Sequence, residues 1–449
     1  MGRLFGTDGA RGVANSELTP ELAMNIGRAA ACVLTKGDKK AKILIGKDTR
    51  QSSDMLEAAL AAGLCSVGAD VLILGVVPTP AVAYLVRKYG YDAGVMISAS
   101  HNPCEFNGIK IFQGTGYKLP DEIENRIEAI ILDGAEVPPV KIGGEVGKIS
   151  YCERAVEDYV SHILECKQAD FNGMKIAFDC ANGSSSATAE KLFSSLGIQG
   201  VYSANEPDGV NINDGCGSTH LEALQNLVKA NGCELGFAFD GDADRMLAVD
   251  ENGNVVDGDK IIAICAKYMK EQGTLKNDTA VVTVMSNMGF FKFCDENNIH
   301  CEKTAVGDRY VLENMLNNHH NIGGEQSGHI IFLDHSTTGD GQLSALMLLN
   351  VIKNSGKSLS ALAAEMQVYP QVLVNVTVTA EGKAAYSSDK VIQEKIETVE
   401  KQLGDDGRVL VRLSGTEPLI RVMLEGKDLE VITILANDIA AVVKERLSE

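Results

Sequence analysis

Three carboxylates alternate with small residues in Asp240-Gly241-Asp242-Ala243-Asp244, and Arg245 follows directly. The apolar run at 236–239 reads as a strand that delivers Asp240 to a loop. Carboxylates this close repel one another and do not stay ionised together without a cation. A hard divalent ion meets that need. Carboxylate oxygens suit magnesium, with a phosphate oxygen as a further ligand. The rival is a calcium-binding EF-hand loop, whose twelfth position Glu251 would fill. That reading fails because Arg245 occupies the sixth position, where Gly is needed, and because strands rather than helices flank the loop. A solvated acidic turn is the plain alternative, and the small spacers and apolar strand speak for a metal instead.

A second chemical stretch is Ile97-Ser98-Ala99-Ser100-His101-Asn102-Pro103, after a run at 91–97 that reads as a buried strand. Ser100 stands at the strand-to-loop corner, where it is expected to be exposed and fixed in position. Alone, the motif reads as a capped turn, because Ser and Asn dominate turns; its other reading is a nucleophile. Gly323-Gly324-Glu325-Gln326-Ser327-Gly328-His329 offers a carboxylate, an amide and a hydroxyl between glycines, which suits paired hydrogen bonds to sugar hydroxyls. A Gly-rich loop with a capping Glu would look the same. Arg412-Leu413-Ser414-Gly415-Thr416-Glu417-Pro418-Leu419-Ile420-Arg421 brackets a Ser-Gly-Thr turn with two arginines, a plausible phosphate cradle. Together these stretches supply a serine, a metal for a phosphoryl oxygen, a sugar loop and a separate phosphate loop. A phosphatase needs one phosphate position. An enzyme that gives phosphate from Ser100 to one hydroxyl and takes it back from another needs two.

Alternating strands and helices must position these loops. Residues 42–46 and 71–75 read as strands, with helices at 18–34 and 55–67 and another opened by Thr79-Pro80. The pattern restarts at 174–179, with a helix from 187, and again at 279–284. After Val368-Tyr369-Pro370 the texture changes to an alternating strand at 371–380, an amphipathic helix at 389–403 and paired strands at 408–412 and 420–424. The expected fold is α/β: three related sandwich domains with mixed, largely parallel sheets and a smaller C-terminal α+β domain. Expected boundaries are 1–152 for the Ser100 loop, 153–252 for the metal loop, 253–368 for the sugar loop and 369–449 for the phosphate loop. The Val368–Pro370 junction offers a hinge.

The formal net charge is −20, with 45% hydrophobic and 23% charged residues. That charge excludes a general nucleic-acid binder and speaks against anionic membranes, so the partner is a small molecule. An anionic substrate needs a locally cationic site, which works because salt screens the global field beyond about 8–10 Å. Eleven scattered cysteines without a Cys-x-x-Cys pair, no long apolar run and no signal peptide at the start lead to the expectation of a reduced, cytoplasmic protein.

The serine, aspartate, glycine-rich and arginine-bracketed motifs occur in the order found in the α-D-phosphohexomutases, which the chain resembles along essentially its whole length. It is most similar to the bacterial branch that converts glucosamine 6-phosphate to glucosamine 1-phosphate for UDP-N-acetylglucosamine and peptidoglycan precursor synthesis. Phe5-Gly6-Thr7-Asp8-Gly9-Ala10-Arg11-Gly12, the stretch from Asn211 to His220, Val306-Gly307-Asp308-Arg309-Tyr310-Val311 and Gln326 resemble that branch. The phosphomannomutase/phosphoglucomutase branch is the alternative, and a regulator that kept the fold without the chemistry is a further one. The resemblance implies four domains around a central cleft, Ser100 carried as phosphoserine, and Mg²⁺ held by Asp240, Asp242, Asp244 and the phosphoserine. It also implies a glucosamine 1,6-bisphosphate intermediate. Catalytic roles fall to Ser100, Arg11, His101, Lys110 and Arg245, with Arg11 and Lys110 as general acid/base candidates. Substrate contacts fall to Glu325, Ser327, His329, Asp308 and Arg309, and to Arg412, Ser414, Gly415, Thr416 and Arg421. A monomer or homodimer is expected.

Overall fold

The computed structural model describes residues 3–6, 9–35, 39–136, 139–414 and 418–448. Within it the chain divides into two compact units: Met1–Met285 with Asn298–Ala364, and Ser286–Asn297 with Glu365–Glu449.

The larger unit holds three sheets. The first has seven strands in the order Phe5–Gly6, Gly9–Val13, Phe106–Gln113, Ala93–Ile97, Lys42–Lys47, Asp70–Val76, Ile149–Tyr151. Its last four strands in that order pair parallel with one another, while the first three pair antiparallel and Phe106–Gln113 also pairs antiparallel with Ala93–Ile97. Ala93–Ile97 is the middle strand of the seven and is buried at every position, in keeping with its unbroken apolar sequence. The second sheet runs Val255–Val256, Met246–Asp250, Leu235–Phe239, Lys175–Asp179, Gln199–Ser203, and the third runs His300–Thr304, Thr279–Thr283, Ile322–Gly324, Ile330–Phe332. Each again joins a parallel part to an antiparallel strand. The α/β expectation therefore holds, with mixed sheets throughout.

Helices cover these sheets. Pro20–Leu34 starts as its sequence suggests: Thr19 accepts a hydrogen bond from the Leu22 amide, and Pro20 occupies the first turn, where its missing N–H is harmless. The helix expected at 55–67 runs Gln51–Ser66 instead, and the helix expected from residue 187 begins at Ala189, after a 3₁₀ turn at Ser184–Ala187. Among the described residues, no helix is long and apolar enough to cross a membrane.

The smaller unit is a three-stranded antiparallel sheet, Gln371–Thr377, Leu419–Gly426 and Gly407–Leu413, with Lys390–Leu403 and Leu429–Leu447 among its helices. Val376, Ile420, Val422, Ile432 and Ile439 are among its core residues. The helix Met288–Glu296 belongs to this unit: Glu425 accepts from the Met288 amide at 2.8 Å, and Asn287 exchanges hydrogen bonds with the Tyr369 backbone. Val368–Pro370 therefore lies inside the smaller unit, and one of the crossings between the units falls at Ala364–Glu365.

Candidate active site

Ser100 follows the strand Ala93–Ile97 in a tight turn with φ +53°, a left-handed conformation that is strained for a residue with a Cβ. The turn is held from several sides. The Ser98 hydroxyl accepts from the Ser100 amide at 3.0 Å and donates to Asp48 at 2.6 Å. Arg50, fully buried, is ion-paired to Asp48 at 2.8 Å and donates to the carbonyl oxygens of Ser100, Asn102 and Pro103. Asn213 donates to the Ser100 and Asn102 carbonyls at 2.9 and 3.0 Å. Strain of this kind persists only where the surroundings over-determine it. Ser100 is not exposed, as the strand-to-loop position had suggested, but only 1% accessible. Its hydroxyl faces inward because it donates to Asp240 at 2.6 Å, with His101 Nδ1 at 3.4 Å.

The aspartate loop is the tip of the hairpin formed by Leu235–Phe239 and Met246–Asp250. Gly241 is required there, because a Cβ would fall 2.5 Å from the Ser100 carbonyl oxygen. All three carboxylates are buried, and one oxygen from each lies within 4.8 Å of the others. Asp240 accepts from the Ser100 hydroxyl and the Arg245 amide. Asp242 Oδ2 accepts from the Thr79 hydroxyl at 2.6 Å and from Lys110 Nζ at 2.8 Å. Lys110 and His329 Nδ1 each lie 3.6 Å from Asp244 Oδ2. Asp242 Oδ1 and Asp244 Oδ1 are buried and accept no hydrogen bond among the described residues. Burial and the neighbouring Asp244 and Asp242 charges raise the Asp240 carboxyl well above its ordinary range. Burial would raise Asp244 too, but Lys110, His329 and Arg245 outweigh it and hold that carboxyl well below. An oxygen-only donor set, with two buried oxygens that accept no hydrogen bond among the described residues, fits a hard divalent cation.

The glycine-rich loop closes the same site. The Gly307 amide donates to Glu325 at 3.0 Å, tying residues 307–309 to the 325–329 turn. His329 Nε2 accepts from the Gly339 amide at 3.1 Å, which leaves the Nδ1 proton facing Asp244. Burial would lower the His329 pKa, yet Asp244 and Asp308 outweigh it and raise it. Asp308 in turn pairs with Lys118 at 2.7 Å. His101 shifts the other way: burial and the charges of Arg245 and Arg11 lower its pKa and favour the neutral ring. Ser327 is exposed, Gln326 donates to Asp257, and Arg309 is ion-paired to Asp121 on the wall of a cavity of about 280 Å³. The structure thus gathers Ser100, His101, Lys110, Arg245, the three aspartates, His329 and Asp308 into one network, and the Arg11 charge is felt at His101.

In the smaller unit, Arg412 and Arg421 face each other as direct cross-strand partners. Burial and the Arg421 charge lower the Arg412 pKa. Two like charges opposite each other in a sheet are unfavourable by themselves and suit an anion between them. Ser414 is buried beside them, its amide bonded to the Leu419 carbonyl. Gly415 and Thr416 lie outside the described residues.

Sequence reasoning missed Asp48, Arg50, Thr79, Asn213 and Lys118. The signals were Lys47-Asp48-Thr49-Arg50 directly after a strand and Thr79 beside Pro80, the first legible only as a turn and the second only as a helix start without their distant partners.

Models of the phosphoglucomutase/phosphomannomutase family match along the chain: α/β/α domain I at 2–137, domain II at 157–253, domain III at 257–369 and the C-terminal domain at 373–442. Phosphoglucosamine mutases are similar throughout, at 57% identity over 449 residues for Ruminiclostridium cellulolyticum and 58% over 448 for Acetivibrio thermocellus, with 100% of each chain covered. Among solved structures, a phosphoglucomutase/phosphomannomutase family protein from Burkholderia thailandensis superposes with TM-score 0.83 at 23% identity, covering 99% of this chain and 97% of that one. N-acetylphosphoglucosamine mutase from Aspergillus fumigatus, in complex with GlcNAc-6P and magnesium, gives TM-score 0.70 at 17% identity, covering 99% and 96%.

Proposed function

The chain belongs to the phosphoglucomutase/phosphomannomutase family, and on that premise we propose that it interconverts glucosamine 6-phosphate and glucosamine 1-phosphate through a phosphoserine at Ser100 and a glucosamine 1,6-bisphosphate intermediate. The observation that carries this reading is the Ser100 hydroxyl bonded at 2.6 Å to Asp240 in a buried, oxygen-rich cluster lined by Lys110 and Arg245. Asp240, Asp242, Asp244 and the phosphoserine would hold Mg²⁺. Bound there, it supplies charge neutralisation at the phosphoryl oxygens.

Phosphoryl transfer is mostly positioning and charge stabilisation, and the residues divide accordingly. A sugar hydroxyl oxygen forms a bond to phosphorus as the phosphorus–Ser100 Oγ bond breaks. The sugar hydroxyl's proton passes to a basic group, a general acid delivers a proton to the departing Ser100 Oγ, and the restored hydroxyl donates to Asp240. Lys110 and Arg245 offset the charge that moves. Once the bisphosphate has turned, the phosphoryl group from its other end returns to Ser100 Oγ and restores the starting enzyme. Arg11 and Lys110 remain candidates for the proton transfers. Burial and the Arg245 and Arg11 charges favour the neutral ring of His101, while His329 presents its Nδ1 proton to Asp244. Glu325, Ser327, His329, Asp308 and Arg309 meet the sugar, and Arg412, Ser414, Gly415, Thr416 and Arg421 hold the phosphate that is not being transferred.

The ligand is a small hexosamine phosphate, with no nucleic-acid or membrane partner, and the enzyme works as a monomer or homodimer. All eleven cysteines are free thiols, which suits the reducing cytoplasm. The test is a coupled assay with glucosamine, glucose and mannose 6-phosphates, each with a trace of the matching 1,6-bisphosphate. Glucosamine phosphate should give the highest kcat/KM, and chelation should abolish turnover until Mg²⁺ is restored. Preference for mannose phosphate, or full activity after chelation, would overturn the reading.

A further inference from the structure

Thr79 opens the helix Thr79–Lys88, lies between Pro78 and Pro80, and is buried. It meets Asp242 twice. Its amide donates to the Asp242 carbonyl oxygen at 2.9 Å, and its hydroxyl donates to Asp242 Oδ2 at 2.6 Å. Lys110 Nζ donates to the same Oδ2 at 2.8 Å. Two donors therefore occupy one oxygen of this carboxylate, while the other, Oδ1, is buried and accepts no hydrogen bond among the described residues. A carboxylate held in this way has a fixed rotamer and presents one oxygen only. The flanking prolines stiffen the donor: each fixes its own φ, and Pro80 has no N–H to compete for Asp242. Nor is the hydroxyl spent on its own helix: its bond is the one to Asp242.

We propose that Thr79 is a positioning residue for the metal: its hydroxyl locks Asp242 so that Oδ1 alone faces the cation. The proposal rests on the reading of the aspartate cluster as a metal site. It also gives the Thr-Pro helix start a task in a loop 163 positions away in sequence. Lys110 cannot do the same work alone, because its ammonium is shared with Asp244 at 3.6 Å and sits on a flexible stem. Partners that orient a ligating group from behind typically change metal affinity roughly ten- to a hundredfold when removed.

Four proteins test it: the wild type, Thr79→Val, Thr79→Ser and Thr79→Ala. Val keeps the shape of Thr and loses the hydroxyl, while Ser and Ala differ from each other only by that hydroxyl. Mn²⁺ binding, followed by electron paramagnetic resonance of the free ion and by calorimetry, should group Thr with Ser and Val with Ala. The hydroxyl-free pair should bind roughly ten- to a hundredfold more weakly. Raising Mg²⁺ should restore kcat in Thr79→Val with the KM for sugar phosphate unchanged, which a merely loosened fold would not do. If Thr79→Val does not fold, the Ser and Ala pair carries the same comparison. Affinities that follow side-chain volume, or that do not differ, would overturn the proposal. A wild-type protein that takes up no Mn²⁺ or Mg²⁺ would overturn both it and the metal reading beneath it.

Discussion

Arg50 reaches three carbonyl oxygens of the Ser100 loop while its charge is met by Asp48, so one buried ion pair holds the backbone at Ser100. Removing one partner of such a pair leaves an uncompensated charge in the interior, at a cost of about 3–5 kcal/mol. Arg50→Met should lower stability by that order in urea unfolding, and the surviving folded fraction should carry less phosphate on Ser100. Ser100→Ala makes the opposite split. It should unfold close to wild type, show no phosphoryl adduct by intact mass and lose nearly all turnover; normal turnover would rule out the phosphoserine route. At this scale the sequence was legible where the chemistry needs neighbours in the chain, as in the alternating aspartates. It was silent where a side chain works through a partner far along the chain. Asp48, Arg50 and Asn213 belong to the second kind, since each looks like an ordinary turn residue until the fold brings it to Ser100.

Elements carry the site by close packing and by their ends. The helix Gly341–Ser355 begins against the aspartate loop: Asp340 caps it by accepting from the Leu343 amide, and the Gly341 amide donates to the Ala243 carbonyl at 3.0 Å. A Cβ on residue 341 would fall 2.4 Å from the Arg245 carbonyl oxygen, a backbone atom that cannot swing aside. Gly341→Ala should therefore destabilise by about 1–3 kcal/mol, as overpacking does, and weaken Mg²⁺ binding by displacing the loop. The helix Asp121–Asp133 acts through its middle. Glu128 accepts from the amides of Arg3, Leu4 and Phe5 at 2.7–2.9 Å and so anchors the chain just before the first sheet. Burial would raise its pKa, but these amides outweigh it and set it below the ordinary 4.5. The folded carboxyl thus titrates below the unfolded one. Its contribution is complete above pH 4.5 and is lost as pH falls through the folded value. In Glu128→Gln the amide NH₂ would face a backbone N–H, so the variant should melt lower at pH 7, and the gap from wild type should narrow below pH 4.5. Order and type of these elements could be read from apolar spacing. Their starts were less legible, because Gln51–Ser66 begins after Arg50, whose side chain makes no cap and is spent on the Ser100 loop.

At the scale of the whole molecule the chain passes between its two units three times, at 285–286, 297–298 and 364–365. The sequence showed one change of texture, near Pro370, and no sign that 286–297 leaves the larger unit, because that transfer depends on Asn287 and Glu425 meeting in space. What the smaller unit contributes is local positive charge in a chain of net charge −20. Arg412 and Arg421 stand directly opposite across two strands, an arrangement of like charges that suits an anion between them. Stability and function should then move in opposite directions on substitution. Arg412→Met keeps the apolar stem and removes one of the facing charges, so its melting temperature without substrate should match or slightly exceed wild type, within the roughly 0.2–1 kcal/mol of a cross-strand pair. On the proposed assignment of Arg412 to the phosphate that stays in place, its KM for the hexosamine phosphate should rise by the loss of a charged hydrogen bond worth about 1.5–3 kcal/mol. The bisphosphate should also escape more often, so that added bisphosphate restores part of the rate. Phosphate on Ser100 and Mn²⁺ binding should be unchanged, since both belong to the larger unit. Calorimetric melting paired with steady-state kinetics decides it: a fall in stability together with wild-type KM would make Arg412 a structural residue and remove the case for a phosphate site in this unit.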